Sequence, residues 1–314
     1  MKFRKNPAII KAMHDHSGHD HSGHSHSHEP AFRFGVALNL ILVVAQIWAG
    51  FRSNSVSLLA DAWHNLGDVL GLVLAWVATR LATRPTSERF TYGLKSSTIW
   101  AAFFNSGSLL FLTGGLLWES ILRFKNPHVV DTSLVIPFAA LGIVVNGLSA
   151  IPFFKSRDLN LKGAFVHLVA DALVSAGVLI AAVIQGQTHL TWIDPVTGIV
   201  ICLVIAFGSI GILKEALSLS LYAVPRHLEL SEIREKILQS PGVDQIHDLH
   251  VWGLGTSDLA LTCHLLPKTG APRMETLRSI ETMLDDEFEI EHVTIQIEDE
   301  TETFFNCKQE SHTR

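Results

Sequence analysis

The strongest constraint on the fold of this chain is a series of six apolar segments. Each has close to the 20 or so residues that a helix needs to cross a bilayer. Of the 314 residues, 48% are hydrophobic and only 17% are charged, which is too apolar for an ordinary soluble protein of this size. The pattern predicts six transmembrane helices, at residues 32–51, 57–79, 99–122, 133–154, 164–185 and 196–219.

Basic residues are distributed unequally between these segments. They are concentrated in the amino-terminal tail and in the stretches that follow the second and fourth segments, whereas the opposite loops contain few. Cytoplasmic loops carry the excess of lysine and arginine in membrane proteins. Both termini are therefore predicted to lie in the cytoplasm. The basic residues after the second and fourth segments are Arg80, Arg84, Arg89, Lys95, Lys155, Arg157 and Lys162.

The second segment contains ionisable side chains that are costly to place in a membrane. Its sequence SLLADAWHNLGDVLG carries Asp61, His64 and Asp68. His64 and Asp68 are four residues apart, so on a helix they project from one face, about 40° apart. Charged groups at such depth usually pair with a partner and mark a functional site. We interpret Asp61, one turn before His64, as a group that supports the ligands or lies at the entrance to the site.

The same His-x-x-x-Asp spacing recurs in the fifth segment, where AFVHLVADALVSA carries His167 and Asp171. For one such helix alone, a hydrogen-bonded core histidine is the simpler interpretation. Four ligand-type residues at matched spacing are hard to explain as packing, because each raises the cost of membrane insertion. Two imidazoles and two carboxylates form a full tetrahedral set for Zn²⁺.

The charges of this set predict competition between metal and protons. Zn²⁺ with two aspartates and two neutral imidazoles is close to net neutral, which minimises the cost of burying the ion. Without the metal, two carboxylates would remain in a medium of low dielectric constant and would bind protons. Metal and protons should therefore compete for the same four residues, which is the chemistry of an exchanger.

The amino-terminal tail is rich in histidine. Residues 14–28, HDHSGHDHSGHSHSH, contain seven histidines and nothing that could form a core, so residues 1–30 are predicted to be disordered. We interpret the tract as a loose collector of metal ions; the alternative is a solvated tail with incidental affinity. Three cysteines without a CxxC pair argue against a thiolate zinc finger, and the net charge of −6 argues against a nucleic-acid partner.

The chain changes character after Tyr222. Residues 229–239 and 272–288 have helical periodicity, whereas 243–252, 258–266 and 292–298 are typical of strands. The order αββαβ predicts a small α+β sandwich with helices on one face of the sheet. The predicted organisation is a tail at 1–30, a transmembrane domain at 31–222, a cytoplasmic domain at 223–300 and a flexible tail at 301–314.

The register of the predicted hairpin brings histidines together. A turn at 254–257 makes Gly253 face Asp258 and places His247 opposite His264. Directly opposed residues have Cβ atoms about 4.5–5.5 Å apart, which is close enough to share a metal ion. Glu298, on the third strand, would supply a carboxylate.

Two further histidines and one alternative belong to this prediction. His250 has the opposite parity from His247 and is predicted to face away, whereas His292 shares the parity of Glu298 and is a possible extra ligand. A slip of one residue would destroy the pairing. The alternative is a set of surface histidines on a polar sheet face.

These features together resemble the cation diffusion facilitator family, and closely its bacterial zinc-exporting branch. The resemblance covers nearly the whole chain. It rests on SLLADAWHNLGD, HLVAD, GVDQIHDLHVW, HVTIQIE and the histidine-rich tract.

The resemblance implies six transmembrane helices with a ferredoxin-like cytoplasmic domain, forming a homodimer in the bacterial inner membrane. It implies export of Zn²⁺ in exchange for H⁺ by alternating access. Its transport site would be His64, Asp68, His167 and Asp171. His247, His264 and Glu298 match metal ligands of the cytoplasmic domain in some members. Gln296 replaces a histidine of some relatives, and Cys307 stays unassigned.

Other functions remain open from the sequence. Cd²⁺, Co²⁺ or Ni²⁺ could be the main substrate, because affinity alone does not select among divalent metals. An intramembrane zinc protease needs an open coordination position and a general base, whereas this chain offers a closed set of four ligands and no HExxH. A membrane metal sensor or scaffold is the third alternative.

Overall fold

The computed structural model of this chain describes residues 29–154 and 159–298. The histidine tract at 14–28 and the tail at 301–314, with Cys307, lie outside the described residues. The amino-terminal part consists of six long helices. They are α1 (Glu29–Ser53), α2 (Val56–Ala82), α3 (Ser97–Lys125), α4 (Thr132–Ala150), α5 (Leu159–Thr188) and α6 (Ile193–Ser220).

Length and composition allow most of these helices to span a membrane. Among the described residues, α2 to α6 each contain a stretch that is long and apolar enough, and the corresponding part of α1, Ala37–Ser53, is shorter. Helix α4 ends at Ala150 rather than at 154, and a short 3₁₀ turn, Ile151–Phe153, follows it.

Helix α2 occupies the centre of the bundle. It packs against α1, α3, α5 and α6, while α3 packs mainly on α6 and α4 mainly on α5. The helix that carries His64 and Asp68 is thereby held from several sides, and its contact with α5 brings it beside His167 and Asp171.

Asp194, the second residue of α6, fixes the start of α2. Its carboxylate accepts hydrogen bonds from Ser55 Oγ at 2.5 Å, Ser57 Oγ at 2.6 Å and the Val56 backbone N–H at 2.8 Å. The side chain is 3% exposed. Backbone N–H groups at a helix start lack partners within the helix, so this contact stabilises the end of α2 and sets the position of His64.

The carboxy-terminal domain has the predicted order of elements. It consists of α7 (Leu230–Gln239), β1 (Val243–Gly253), β2 (Leu259–Pro267), α8 (Arg273–Phe288) and β3 (His292–Ile297). Strand β2 is central, antiparallel to β1 and parallel to β3. The predicted fold class, a helical membrane part with a small α+β domain, is confirmed.

The two helices of this domain cover one face of the sheet. Ile233 and Ile237 of α7 and Ile280 and Leu284 of α8 are completely buried against it. Cys263 belongs to this core, where burial raises the pKa of its thiol to about 12. The opposite face carries the histidines.

The β1–β2 hairpin contacts the membrane helices. Lys95 Nζ and Asp258 Oδ1 form an ion pair at 2.5 Å, and Ser96 Oγ donates to the Leu254 carbonyl at 3.0 Å. The Thr256 backbone N–H donates to Thr98 Oγ1 at 3.0 Å. The carboxy-terminal domain therefore lies at the end of the bundle where α2 ends and α3 begins.

Candidate metal centres

The four residues of the predicted transport site converge between α2 and α5. His64 Nε2 lies 3.3 Å from Asp171 Oδ1 and 3.8 Å from Asp68 Oδ2. His167 Nε2 lies 3.5 Å from Asp68 Oδ2 and 3.6 Å from Asp171 Oδ2. Each imidazole thus approaches both carboxylates, and each helix supplies one residue of each type.

This arrangement leaves ligand atoms free to bind a metal. Asp68 Oδ2 and Asp171 Oδ1 are buried without a hydrogen-bond partner among the described residues. Ligand atoms of His64, Asp68 and Asp171 all lie within 4.8 Å of one another, and His167 joins them through its contacts with both carboxylates. Buried polar atoms without partners are rare in native proteins, so an unsatisfied group of this composition fits a divalent metal.

The site is more exposed on one side than on the other. The Asp171 side chain is 5% exposed and that of His64 is 18% exposed, whereas Asp68 and His167 are 28% and 49% exposed. Asp68 and His167 lie nearer the carboxy-terminal domain along α2 and α5. The two residues nearer that domain are therefore the more exposed ones of the site.

Asp61 does not hydrogen-bond to any of the four residues within the described part of the chain. Its Oδ2 accepts instead from Gln46 Nε2 and Ser175 Oγ, both at 2.9 Å. Sequence reasoning missed Ser175 as a partner. The available signal was its position, one turn after Asp171 on the same helix.

A second cluster lies on the open face of the carboxy-terminal sheet. His247 pairs with His264 across β1 and β2, and Glu298 follows β3. The Glu298 carboxylate lies 3.0 Å from His247 Nε2 and 2.7 Å from His264 Nδ1. Burial opposes ionisation of Glu298, but hydrogen bonds from the two imidazoles outweigh it and hold the pKa of Glu298 below its usual range.

The predicted hairpin register is wrong at the turn, although the histidine pair is right. Gly253 faces Leu259 rather than Asp258. Further from the turn, His250 pairs with Thr262, and the next pair is His247 with His264. Between these pairs, two residues of β1, Asp248 and Leu249, lie opposite a single residue of β2. Such a β-bulge moves the register by one residue. The bulge compensates the error at the turn and restores the pairing of His247 with His264.

The bulge also overturns the prediction for His250. Because two residues oppose one, the parity of β1 changes, and His250 pairs with Thr262 on the face that carries His264. Its Nε2 lies 3.0 Å from Asp248 Oδ1. Asp248, with φ of 50°, also places Oδ2 3.9 Å from His264 Nε2, and sequence reasoning missed it.

His292 lies away from this cluster. Its ring stacks edge-on against Tyr92, with centroids 5.1 Å apart. Among the described residues, the group that could hold a metal in this domain is His247, His264 and Glu298.

We expect Glu298→Gln to weaken zinc binding by the carboxy-terminal domain about 10–100-fold, because glutamine lacks the carboxylate charge that offsets the charge of the ion. The measurement is a competition titration against a chromophoric chelator, with the full chain carrying His64→Ala and Asp68→Ala so that the membrane site is absent. Glu291→Gln, an exposed glutamate of the same domain, is the control. Equal affinities in the two variants would contradict the ligand role of Glu298.

Comparison with known proteins agrees with this architecture. The family model for the cation efflux transmembrane domain matches residues 33–219, and the model for the cation efflux protein cytoplasmic domain matches residues 225–300. The chain belongs to the cation efflux family. The resemblance to cation diffusion facilitators is thereby confirmed, and this family member is a multi-pass membrane transporter rather than an enzyme.

Several relatives align over most of this transporter. The cation efflux system protein CzcD of Alcaligenes sp. is 34% identical, over 91% of this chain and 89% of the relative. The zinc transporter ZitB of Escherichia coli is 32% identical over 91% of each chain. The cadmium, cobalt and zinc/H⁺-K⁺ antiporter of Bacillus subtilis is 31% identical over 84% of this chain and 87% of the relative.

A solved structure also matches part of the chain. It is the metal-bound C-terminal domain of the CzcD transporter from Cupriavidus metallidurans, 44% identical over 23% of this chain and 99% of that chain, with a TM-score of 0.22.

Proposed function

We propose that this protein exports Zn²⁺ from the cytoplasm in exchange for H⁺. The observation that carries the proposal is the convergence of His64, Asp68, His167 and Asp171 at 3.3–3.8 Å between two apolar helices. Two imidazoles and two carboxylates suit a tetrahedral Zn²⁺ ion and neutralise its charge. The same atoms bind protons when the metal leaves, which couples the two fluxes.

We favour zinc as the substrate because the site must change shape during transport. Zn²⁺ has no geometric preference from its d electrons, so its coordination can loosen while the helices move. Relatives named for zinc, cadmium and cobalt support a divalent substrate, with Cd²⁺, Co²⁺ and Ni²⁺ as the competing ions.

We place the carboxy-terminal domain and both termini in the cytoplasm of a bacterium, with the helices in the inner membrane. The excess of lysine and arginine on that side supports this orientation. Metal would enter from the cytoplasm, on the side of the more exposed site residues, and would leave on the opposite side. Exposed apolar side chains such as Phe111, Trp118 and Phe207 would contact lipid or a second copy of the chain in a homodimer.

Growth of a zinc-sensitive bacterium that lacks its own exporters tests the proposal. Expression of the wild-type chain should restore growth at raised zinc and lower cellular zinc, whereas His64→Ala with Asp68→Ala should do neither at equal protein levels. Growth restored equally by the double variant would contradict transport through this site. Tolerance without lower cellular zinc would indicate a sensor rather than an exporter.

A further inference from the structure

Asp61 is a carboxylate buried within the helix bundle and only partly satisfied there. The residue is 0% exposed, and Oδ2 accepts both of its hydrogen bonds, from Gln46 Nε2 and Ser175 Oγ at 2.9 Å. Its other oxygen, Oδ1, is buried and has no hydrogen-bond partner within the described residues. The transport site described above does not account for this group.

The partners of Asp61 connect three helices. Gln46 lies on α1, Asp61 on α2 and Ser175 on α5, and Asn65 Nδ2 also donates to Gln46 Oε1 at 3.4 Å. All four residues are at most 3% exposed. We refer to Gln46, Asp61, Asn65 and Ser175 as the Asp61 layer.

A fourth helix, α4, packs closely against this layer through a glycine, Gly142, which has no side chain. A Cβ atom added to Gly142 of α4 would lie 2.7 Å from Ser175 Oγ and 2.9 Å from Gln46 Nε2. Both donors to Asp61 therefore pack directly against the backbone of α4.

The layer lies against the transport site on the side away from the carboxy-terminal domain. Asp61 precedes His64 by one turn on α2, and Ser175 follows Asp171 by one turn on α5. Asp194 joins the start of α2 to the start of α6, at the end of the bundle remote from the carboxy-terminal domain. Helix α5 ends there too, because α6 follows it directly in the chain. The Asp61 layer therefore closes the pocket where it would open to the far side.

A purely structural link would not need a charge at this position. An ionised carboxylate in the interior is costly unless it is fully paired, and here half of its acceptor capacity is unused. Asparagine would give similar hydrogen bonds at lower cost. The Oδ1 atom, buried without a partner in this arrangement, is free to gain one when the helices move, which suits a contact that forms and breaks.

We propose that the Asp61 layer is the gate that closes the transport site on the side opposite the cytoplasm, and that Asp61 separates from Ser175 each time the site opens outward. Asp61 is a positioning residue in this scheme, joining α2 to α5 in the closed state. The assignment of this gate to the outer side rests on the proposed function, because the side away from the carboxy-terminal domain is the exterior only in the proposed orientation.

Accessibility of the layer from outside tests the gate. A cysteine replaces Ser175, and a membrane-impermeant maleimide is added to intact cells, with the parent chain as the blank. The control is Ser120→Cys, because Ser120 is also 0% exposed but its hydroxyl, within the described residues, donates only to the Leu116 carbonyl of its own helix. We expect Ser175→Cys to react from outside at a rate well above that of Ser120→Cys. Adding Asp61→Ala, which removes the acceptor of the Gln46 amide, should raise that rate about fivefold, as expected for loss of one hydrogen bond.

A second measurement separates a gate from a metal ligand. Equilibrium zinc binding by the membrane site, measured in chains that also carry Glu298→Gln, should stay near that of the parent in Asp61→Asn, whereas His64→Ala should lose it. The gate is overturned if Ser175→Cys reacts no faster than Ser120→Cys, if it reacts only from the cytoplasmic side, or if Asp61→Asn abolishes zinc binding. The labelling requires no zinc transport, so its failure is distinguishable from failure of the proposed function, which zinc flux by the parent chain reports separately.

Discussion

Replacing Asp171 by asparagine is expected to reduce zinc transport by more than about 100-fold, beyond the loss typical for a residue that only supports a ligand. Asp171 is the most buried of the four proposed ligands, and its two oxygens approach the two imidazoles at 3.3 and 3.6 Å. Asparagine keeps the shape but removes one negative charge. The zinc ion would then carry uncompensated charge in a medium of low dielectric constant.

Initial rates of zinc uptake into proteoliposomes measure this effect, with thermal unfolding in detergent as the check on folding. Asp244→Asn is the matched control, because Asp244 is an exposed aspartate on β1. Unchanged transport by Asp171→Asn in a correctly folded protein would remove Asp171 from the site.

The second large effect is expected from Gly142→Ala. The added methyl group would lie 2.7 Å from Ser175 Oγ and 2.9 Å from Gln46 Nε2, so both donors to Asp61 must move. Overpacking and the loss of buried hydrogen bonds each cost about 1–3 kcal/mol. These costs exceed the gain of about 1 kcal/mol in helix propensity from glycine to alanine.

The same substitution five residues further along α4 provides the control. Gly147 has nothing within 4 Å of an added Cβ, so Gly147→Ala should leave stability unchanged or raise it slightly. Thermal unfolding of the two purified variants compares them directly. A stability of Gly142→Ala equal to that of Gly147→Ala would mean that α4 can move away from the Asp61 layer at little cost.

The six membrane helices could be predicted because each must present an apolar stretch of the length that a bilayer requires. Their ends could not be predicted in the same way. Helix α3 was expected at 99–122 but extends from Ser97 to Lys125, because polar residues continue the helix beyond the apolar part. The length of an apolar stretch reflects the thickness of the membrane, whereas the ends of a helix depend on capping residues and on the loops that follow.

Spacing placed His64 with Asp68, and His167 with Asp171, on single helix faces, as a period of 3.6 residues requires. Whether the two faces meet depends on how α2 packs against α5, which spacing does not determine. The partners of Asp61 were hidden for the same reason. Gln46 and Ser175 lie on other helices, and only their packing shows that they meet.

The carboxy-terminal cluster shows a different limit. The pairing of His247 with His264 was predicted from a turn that is off by one residue, and the bulge at Asp248 corrects it. The positive φ of Asp248 is not apparent from the residues HDLH, because aspartate tolerates a positive φ but does not require one. The reversed orientation of His250 follows from that single residue.

Zinc and proton fluxes recorded together test the central claim most directly. The wild-type chain and the double variant His64→Ala, Asp68→Ala are placed in proteoliposomes that contain a pH dye, and zinc is added outside. We predict zinc entry accompanied by proton exit for the wild type and neither for the variant. Equal zinc entry with both chains would contradict transport through the four-residue site, and zinc entry without proton movement would contradict the exchange.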